Sequence, residues 1–575
     1  MDGARLPPFD RRFLESDQIA SAIGDGEVGG KAAGLLRASE LLGSAPLDLP
    51  DRISVRIPRV VVLTTDAFRT FVTANDLGDC WRGDPLDAHL ANAFLRAELP
   101  ASIVGDLRTL IEGERRPLAV RSSSLLEDRA HRPFAGVYAT KMIPNSDPDP
   151  ARRFQALTEA IKLVWASTFF REARAYRETV SLEEEEAMAV IVQEVVGRPH
   201  GDRFYPDVSG VARTWNFYPF GSAAREDGVV SLALGLGKHI VDGGVTWTYS
   251  PAHPRQPPPF GSTAERARGT QVEFWSVGIG PPPPYDPAAE AEYLVSTDLT
   301  AADYDGTLAP LASTWDPQSD RLVMGATGSG IPILDFAPLL SGRELDLNGA
   351  VRAVMSRCRE AIGHDVEIEF AATLDGSPRS AELRLLQLRS TVVPRDAVDL
   401  PRDAVENALV VASPALGHGA RTGLRDVLYV KPEAFDRAAS RRVAGDIARF
   451  NDELAAEGRE YVLIGFGRFG SSDPWLGIPV DWAQIRGARV IVETTLPEIM
   501  PEPSQGSHFF HNVTSFEVFY LYVREDHDGR VDWDALRAMP AVRETELVRH
   551  VRSERPITAV VDGREGRGLV YQGDR

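Results

Sequence analysis

The stretch PLAVRSSSLLEDRAHRPFAGVY, residues 117–138, places an arginine and three consecutive serines directly after an apolar run that is typical of a buried strand. Arg121 offers a planar fork of donors that suits two phosphate oxygens, and the hydroxyls and amides of Ser122–Ser124 add neutral donors. Glu127 and Asp128 are expected to hold this arginine, or a lysine, in place. The stretch predicts a phosphate site at the end of a strand, although an arginine–aspartate pair at a sheet edge fits the same residues.

Composition sets the class of protein. The chain has 575 residues, 43% hydrophobic and 25% charged, which is enough for two to four folded domains. Its net charge of −20 argues against a nucleic acid or an anionic membrane as partner. Cys80 and Cys358 are too few for a disulfide framework, and neither a secretion signal nor a window of roughly 20 apolar residues is visible. We therefore expect a cytoplasmic protein.

The order of apolar runs predicts a mixed α/β fold. A strand is expected over 59–63 and is followed by a helix, a long amphipathic helix over 151–180, and a buried strand over 187–197. Two prolines and dense charge at 392–404 mark a domain boundary. The predicted domains are 1–395, with lobes of approximately 1–200 and 201–395, and 396–575.

A glycine–lysine pair precedes the first predicted helix. In VGGKAAGLL, residues 28–36, a Gly-Gly turn presents Lys31 at the start of a helix, where backbone N–H groups and the ammonium can face one anion. Such turns are also common at protein surfaces, so this element is a weak signal when taken alone.

A strand–turn–strand pattern at 364–390 brings oxygen ligands together. Glu367 and Glu369 are two apart and share one strand face, and so do Gln387 and Arg389 on the returning strand. Carboxylate and amide oxygens suit Mg²⁺, and a guanidinium suits phosphate charge. A half-exposed hairpin with charge pairs across it is the structural alternative.

The ordered motifs resemble a known family. They are GGK, IPRVVVLTTDAFRTF, AVRSSSLLEDRAHRPFAGVY, IKLVWASTFFREARAYR, MAVIVQEVV, SGVART and VEIEF…LLQLRS. In this order they are similar to the two-lobed ATP-grasp nucleotide-binding domain of the pyruvate phosphate dikinase and phosphoenolpyruvate synthase family. The resemblance covers roughly residues 20–395.

The resemblance implies a role for each matching residue in binding ATP and Mg²⁺. Lys31 and Arg121 would hold the ATP phosphates with Ser122 and Ser123, Glu369 and Gln387 would bind Mg²⁺ with Glu367 and Arg389 beside them, Gln193, Glu194 and Val195 would form the hinge that reads adenine, and 207–214 would be a loop lining the site.

One motif departs from the family pattern. Within LALGLGKHIVDGG, Lys238 and His239 follow the Gly-Leu-Gly where the family usually has an acidic residue. Nucleotide contacts at this position are therefore in doubt, and the added positive charge favours an anionic second substrate instead.

The C-terminal third resembles a swivelling domain that carries phosphohistidine in this family. The usual Thr-Ser-His or Thr-Cys-His signature is absent, but SQGSHFFHNVTS, residues 504–515, places His508 where such a histidine is expected. An imidazole near neutral pKa can accept and donate a phosphoryl group. His508 and His511, three apart, could instead bind a metal or pack in a core.

A glycine-rich segment lies upstream of this histidine. In IGFGRFGSSDPWLGIPVDW, residues 464–482, we expect Arg468, Ser471 and Asp473 to form a substrate loop and Trp475 to stack on a ring. A purely structural loop before a proline turn is the alternative.

The sequence therefore predicts an ATP-dependent phosphotransferase of the dikinase type, with His508, Arg121 and Lys31 as its catalytic residues. Only about 60 residues follow the histidine segment, whereas the family's pyruvate-binding barrel takes roughly 250, so we do not expect the usual pyruvate chemistry. The acceptor would be a small molecule or a partner protein that supplies the second half-reaction. Direct phosphoryl transfer or ligation without phosphohistidine, and a non-catalytic nucleotide sensor or scaffold, are the alternatives.

Overall fold

The computed structural model describes residues 6–127, 136–179, 186–326, 330–342, 345–376, 379–391, 393, 396, 398–471, 475–496, 513, 518–524 and 529–573. The chain divides into two compact units. The first comprises Met1–Arg174, Glu183–Ile240 and Val245–Thr391, and the second Ala175–Leu182, Val241–Gly244 and Val392–Arg575. The chain contains both helices and strands, with several runs of consecutive strands, so the predicted mixed α/β fold class is confirmed.

The first unit contains a five-stranded sheet around the predicted phosphate site. Its strand order is Ala20–Ile23, Val60–Leu63, Met188–Glu194, Leu118–Ser124 and Thr140–Ile143. We call Leu118–Ser124 the phosphate strand and Met188–Glu194 the hinge strand. All seven residues of the hinge strand are buried, which explains its unbroken run of apolar residues up to Gln193.

A six-stranded sheet in the same unit carries the predicted metal ligands. Its order is Trp247–Tyr249, Val229–Ala233, Val208–Arg213, Val366–Asp375, Ser380–Ser390 and Ile53–Arg56. The alternating sequence at 364–390 forms the expected hairpin, Val366–Asp375 with Ser380–Ser390, which we call the long hairpin. The segment expected as a loop at 207–214 is instead the buried strand Val208–Arg213, because its apolar residues pair with the long hairpin.

Two smaller sheets complete this unit. One has the order Leu294–Asp298, Glu273–Gly278, Arg203–Tyr205 and Arg198–His200, and the other Arg321–Met324, Ala312–Asp316 and Ile331–Leu334.

Helices surround these sheets. Up to residue 391 they are Arg11–Glu15, Gly30–Ser44, Thr65–Ala74, Asp87–Arg96, Ala101–Gly113, Pro150–Ser167, Arg171–Thr179, Lys238–Val241, Thr263–Arg268, Leu299–Tyr304, Ala337–Leu340 and Leu347–Ile362, with a short 3₁₀ turn at Arg225–Asp227. The single helix expected over 151–180 is thus two helices, Pro150–Ser167 and Arg171–Thr179, since a turn separates them at 168–170.

One apolar core joins the two large sheets. Helix Gly30–Ser44 buries Ala32, Leu35 and Ala38, whose spacing of three places them on one face. They pack in a cluster with Val62 of the five-stranded sheet and Ile368 of the long hairpin. The helix that carries Lys31 is therefore anchored to both sheets.

The second unit is built on one large sheet. Its order is Ala415–Leu416, Phe519–Val523, Ala488–Thr494, Tyr461–Phe466, Gly419–Val430, Val548–Asp562, Arg567–Gln572, Ala408–Ala412 and Arg530–Val531, with Ala541–Glu544 paired to Val548–Asp562 and a separate pair Arg468–Phe469 with Gly477–Ile478. The chain passes from Ala412 to Ala415 between distant strands of this order, and Ala415 N donates to Gly566 O at 2.9 Å. The sheet therefore curves back on itself around its own apolar core.

Helices Arg402–Glu406, Ser440–Ala456 and Trp533–Ala538 and the 3₁₀ turns Arg437–Ala439 and Trp482–Ile485 accompany this sheet. In the part of the chain that the structure describes, no helix combines the length and apolar character needed to cross a bilayer.

Candidate functional site

Lys31 lies in the first turn of helix Gly30–Ser44, and its ammonium faces the phosphate strand. Nζ donates to Glu127 Oε1 at 2.7 Å and to Ser122 Oγ at 3.0 Å. Gly29 makes this close approach possible, because its φ is 77° and a Cβ there would lie 1.7 Å from the backbone of the phosphate strand. The expected carboxylate partner of a lysine is thus Glu127, and 11% of the Lys31 side chain remains exposed.

The hydroxyls of Ser122 and Ser123 in the phosphate strand are hydrogen-bonded inside the protein. Ser122 Oγ donates to Glu127 Oε1 at 2.9 Å, and Ser123 Oγ donates to Val28 O at 2.8 Å and accepts from Ala32 N at 3.0 Å. Both serines are fully buried. Because a hydroxyl has only one proton to donate, neither has a donor left for a phosphate. In this arrangement the two hydroxyls position the lysine and the start of its helix, and ligand binding by Ser122 and Ser123 stays a prediction.

Arg121 connects the two large sheets of the first unit. Nη2 donates to Gln387 Oε1 at 2.7 Å and lies 3.5 Å from Glu369 Oε2, while Nη1 donates to Leu386 O at 3.1 Å and to Gln193 Oε1 at 3.2 Å. The sequence separations between Arg121 and the two predicted metal ligands are 248 and 266 residues. The fold therefore brings the predicted phosphate and metal residues together around Arg121.

Glu369 and Gln387 are direct partners across the long hairpin, next to a β-bulge between Glu369 and Phe370. Both side-chain oxygens contact the same nitrogen of Arg121, so they face a position that one cation can occupy. Carboxylate and amide oxygens fit Mg²⁺. Because the described residues hold no group of three or more His, Cys, Asp and Glu side chains arranged for a metal, further ligands would come from water or phosphate.

Glu367 is enclosed between two arginines. Arg213 Nε contacts one carboxylate oxygen, and Arg389 Nε donates to the other at 2.7 Å. All three side chains are buried, and Arg389 Nη2 lies 3.9 Å from Glu369 Oε1. Burial, with repulsion from Arg389, lowers the pKa of Arg213, against the attraction of Glu367. The carboxylate of Glu367 is thus engaged by both arginines, and the triad orients Arg389 beside Glu369.

Sequence reasoning missed Arg213 as a member of this site. Its only signal was a lone arginine within the apolar stretch SGVART, where a buried guanidinium needs a carboxylate partner. Nothing in the sequence indicated that the partner would be Glu367.

Gln193 and Val195 differ from the expected hinge in their hydrogen bonding. Gln193 is buried, its Oε1 accepts from Arg121, and its Nε2 has no hydrogen-bond partner among the described residues. The Val195 amide donates to Pro117 O at 2.9 Å, so it is engaged in the sheet. Val195 can therefore offer a nucleobase its carbonyl oxygen and side chain but not its N–H.

Glu194 belongs to a charged network at the end of the hinge strand. It accepts from Arg116 Nη1 at 3.1 Å and from Arg384 Nη1 at 3.4 Å. Burial, with repulsion from Glu114, raises the pKa of Glu194 despite these arginines. Glu194 thus positions two arginines that sequence reasoning did not identify.

A cleft of about 480 Å³ opens at this end of the hinge strand. Its walls combine apolar groups with guanidinium groups, among them Val195, Val196, Phe204, Arg116, Arg198 and Arg384. This volume and mixture are typical of small-molecule sites. Arg384 and Gln387 lie on one strand three residues apart, about 10 Å at the usual rise of a strand, so the cleft adjoins the position of Arg121.

In the second unit, the amides of the glycine-rich segment are already bonded. Gly467 N donates to Thr494 O at 3.0 Å, Arg468 N to Leu476 O at 2.9 Å, Phe469 N to Glu493 Oε1 at 2.8 Å and Gly470 N to Ile478 O at 3.0 Å. These four amides are therefore bonded within the protein, and the role of this segment as a substrate loop stays a prediction. Arg468 Nη1 donates to Gly243 O at 2.9 Å, Ser471 is buried, and Trp475 is 63% exposed.

Three residues with predicted roles, Asp128, Asp473 and His508, lie outside the described residues, as does His511. Lys238 and His239 begin the short helix Lys238–Val241, where His239 Nε2 lies 2.8 Å from Val245 O. The role of an anionic second substrate at this position stays a prediction.

Comparison with known proteins identifies the class of this region. Residues 25–258 match the family model described as pyruvate phosphate dikinase, AMP/ATP-binding domain. The first unit thus contains a region similar to an adenine-nucleotide-binding domain, and ATP is the ligand that this match supports.

Two curated relatives are similar to part of the chain. The phosphoenolpyruvate synthase of Aeropyrum pernix is 29% identical over 242 residues, which is 38% of this chain and 26% of the relative. The prodigiosin synthesizing transferase PigC of Serratia marcescens is 28% identical over 193 residues, 33% of this chain and 19% of the relative. The resemblance of the N-terminal region to the pyruvate phosphate dikinase and phosphoenolpyruvate synthase family is confirmed, and the matches span about a quarter and a fifth of these relatives.

Proposed function

We propose that this protein is an ATP-dependent phosphotransferase of the dikinase type, which passes a phosphoryl group from Mg·ATP through His508 to an acceptor. One observation carries the proposal. Arg121, inside the matched region 25–258, meets Glu369 and Gln387, which lie outside it. This contact between residues inside and outside the matched region supports the proposal that they share one phosphate and metal site.

We propose one orientation of the nucleotide relative to this cleft. The nucleoside would lie in the 480 Å³ cleft beside Val195 and Val196, between apolar walls and guanidinium groups. The triphosphate would then extend along the long hairpin toward Arg121 and Lys31. Gln193 Nε2, a buried donor with no partner among the described residues, would gain an acceptor from the ligand.

The chain's own side chains would neutralise and position the phosphates. Bound Mg²⁺, held by Glu369 and Gln387, supplies Lewis-acid polarisation of the phosphate oxygens. Lys31 is fixed by Glu127, and its ammonium has one further proton to donate to a phosphate oxygen. The Arg213–Glu367–Arg389 triad keeps the positive side of the cleft oriented. Phosphoryl transfer depends mainly on such positioning and charge.

The transfer step assigns a carrier role to His508. A ring nitrogen of His508 would attack a phosphorus atom of ATP. Attack at the γ phosphorus releases ADP and leaves a phosphoryl group on the ring. Attack at the β phosphorus releases AMP and leaves a diphosphoryl group on the ring, whose terminal phosphoryl group must pass to water before the remaining one passes to the acceptor. The names of the two relatives indicate different products, so the acceptor is proposed only by class: a small molecule, or a partner protein that supplies the second half-reaction. The cytoplasm is the proposed compartment, because ATP is available there.

Labelled ATP tests this proposal. The purified chain is incubated with Mg²⁺ and ATP labelled separately at the β and γ phosphates, beside a His508→Ala variant, and both protein label and nucleotide products are followed. We expect acid-labile, base-stable label on the wild type that is absent from the variant. Both labels together with AMP would identify attack at the β phosphorus.

Other outcomes separate the alternatives. AMP or ADP formed without protein label would sink the histidine step and indicate direct transfer. Nucleotide binding with no product would indicate a sensor. A chain that binds no nucleotide would contradict the proposed function as a whole.

A further inference from the structure

Arg121 and Lys31 are held in different ways. The partners of Lys31 are Glu127 and Ser122, neither of which has a proposed metal role. The partners of Arg121 are instead the oxygens that we assign to the metal: Gln387 Oε1 at 2.7 Å and Glu369 Oε2 at 3.5 Å. The guanidinium of Arg121 therefore lies where a divalent cation would have to bind.

Further oxygens complete this arrangement around Arg121. Leu386 O and Gln193 Oε1 accept from Nη1 at 3.1 and 3.2 Å. Only 14% of the Arg121 side chain and 17% of the Glu369 side chain are exposed, so water screens this contact weakly. The positive charge of Arg121 thus satisfies the oxygens that we assign to the metal.

We propose that Arg121 acts as a latch, occupying the cation position between Glu369 and Gln387 until a nucleoside triphosphate and a divalent cation arrive together. This inference rests on the proposed function. When the cation takes the two oxygens, the guanidinium is displaced and needs new acceptors, which the phosphate oxygens of the nucleotide provide. The cation alone must compete with Arg121, and the nucleotide alone must draw Arg121 away from its partners.

The latch predicts that one variant changes its affinity for the metal and its affinity for the nucleotide in opposite directions. Neutralising Arg121 removes a competitor of the metal, so metal affinity without nucleotide rises. The same change removes a phosphate ligand, so nucleotide affinity falls. A residue with a merely structural role, or one that only binds phosphate, would not increase metal affinity.

The test measures Mn²⁺ binding in the absence of nucleotide, by electron paramagnetic resonance of free Mn²⁺, on the full chain. The samples are the wild type, Arg121→Met, Arg121→Met/Glu369→Gln and the control Arg56→Met. Arg56 also lies in the six-stranded sheet and carries the same charge, but its side chain is 74% exposed and 3.8 Å from Glu382. The melting temperature of each variant is measured in parallel.

We expect Arg121→Met to bind Mn²⁺ about tenfold more tightly than the wild type. The variant lacks the positive charge of Arg121, which repels a cation bound to the same oxygens. Adding Glu369→Gln should abolish this gain, and Arg56→Met should bind Mn²⁺ as the wild type does. Mg·ATP affinity, measured by calorimetry, should fall about tenfold or more in Arg121→Met. If Arg121→Met does not fold, Arg121→Lys takes its place with a smaller gain expected, since an ammonium cannot bridge the same set of oxygens.

Mn²⁺ affinity that is unchanged or lower in the Arg121 variant, or a gain that survives Glu369→Gln, would overturn the latch. Failure of the proposed function is recognised separately, because it appears as a wild type that does not bind Mg·ATP. The Mn²⁺ titrations contain no nucleotide, so they report on the latch in either case.

Discussion

Glu493 holds the glycine-rich segment of the second unit to its sheet. The residue is fully buried, Oε1 accepts from Phe469 N at 2.8 Å, and Oε2 accepts from Tyr520 Oη at 2.5 Å. Burial raises the pKa of Glu493 to about 7, although the bonds from Tyr520 and Phe469 act in the opposite direction. A buried carboxyl of this kind makes local stability depend on pH.

The sign follows from proton binding. Between the unfolded pKa of 4.5 and about 7, the folded chain binds this proton and the unfolded chain releases it. Stability is therefore fully present below pH 4.5 and falls as pH rises to about 7, by about 3 kcal/mol. Glu493→Gln should remove this component, so the difference in unfolding free energy between wild type and variant changes across this window.

Peptide-resolved hydrogen exchange over residues 461–471 of the full chain measures the effect, since this segment contains the Phe469 amide. Protection in the wild type should decrease relative to Glu493→Gln as pH rises from 4.5 to 7, after correction for intrinsic exchange. Parallel pH profiles of the two proteins would contradict a titrating Glu493.

Single residues of the site were predictable where local sequence encodes their role. Lys31 lies after Gly-Gly at the start of a helix as expected, and Glu127 contacts the lysine. Arg121 lies in the middle of strand Leu118–Ser124 and not at its end, because the three serines continue the strand. The roles of Arg213 and of the Val195 amide depend on strand pairing with distant parts of the chain. Pairing of this kind leaves no trace in a short motif, which is why these roles were missed.

At the scale of elements, helix Gly30–Ser44 positions Lys31 because glycine allows its start to approach the phosphate strand. Gly29→Ala would place a Cβ 1.7 Å from the Ser123 carbonyl oxygen at a φ of 77°. With ψ at 173°, this backbone conformation is adopted almost only by glycine and costs another residue roughly 1–3 kcal/mol, and the clash forces the helix start to move. We expect Gly29→Ala to lose about tenfold or more in Mg·ATP affinity, measured by calorimetry, and to unfold at lower urea concentration.

Gly43, near the end of the same helix, provides the control. A Cβ there would meet no atom within 4 Å. Gly43→Ala should keep the wild-type affinity for Mg·ATP and gain up to about 1 kcal/mol of stability, because alanine favours helix. Equal affinity in both variants would show that the helix start does not position Lys31.

The elements themselves were predicted with unequal success. The long hairpin followed from strict alternation and a turn, and the hinge strand from an unbroken apolar run. The β-bulge between Glu369 and Phe370 had no sequence signal, although it sets which side chains face the cleft. For the glycine-rich segment, glycine content did not reveal that backbone amides are already bonded, as all four are at 467–470.

At the scale of the whole molecule, the local charge of the cleft differs from the net charge of the chain. The chain carries a net charge of −20, and the cleft that adjoins Arg121 is lined by Arg115, Arg116, Arg198 and Arg384 together with Asp375 and Glu382. An acidic exterior repels free polyanions, whereas a local excess of arginines attracts a small anion. This distribution suits the proposed nucleotide site, and the absence of a nucleic acid partner stays a prediction.

The division of the chain leads to the last prediction. Every residue assigned to Mg·ATP, from Lys31 to Arg389, lies in the first unit, which ends at Thr391 and has its own core. A fragment of residues 1–391 should therefore fold and bind Mg·ATP within about threefold of the full chain, because its ligands and their supporting contacts are all retained. Circular dichroism checks its folding, and calorimetry measures its affinity.

The same fragment separates nucleotide binding from phosphoryl transfer. It lacks His508, so it should acquire no label from β- or γ-labelled ATP, and adding a fragment of residues 392–575 should restore label on that second fragment. Glu369→Gln in the first fragment should abolish Mg·ATP binding and label together, as a control for the metal site. A folded 1–391 fragment without affinity for Mg·ATP would show that the nucleotide site needs residues beyond Thr391, and label on this fragment alone would exclude His508 as the first acceptor.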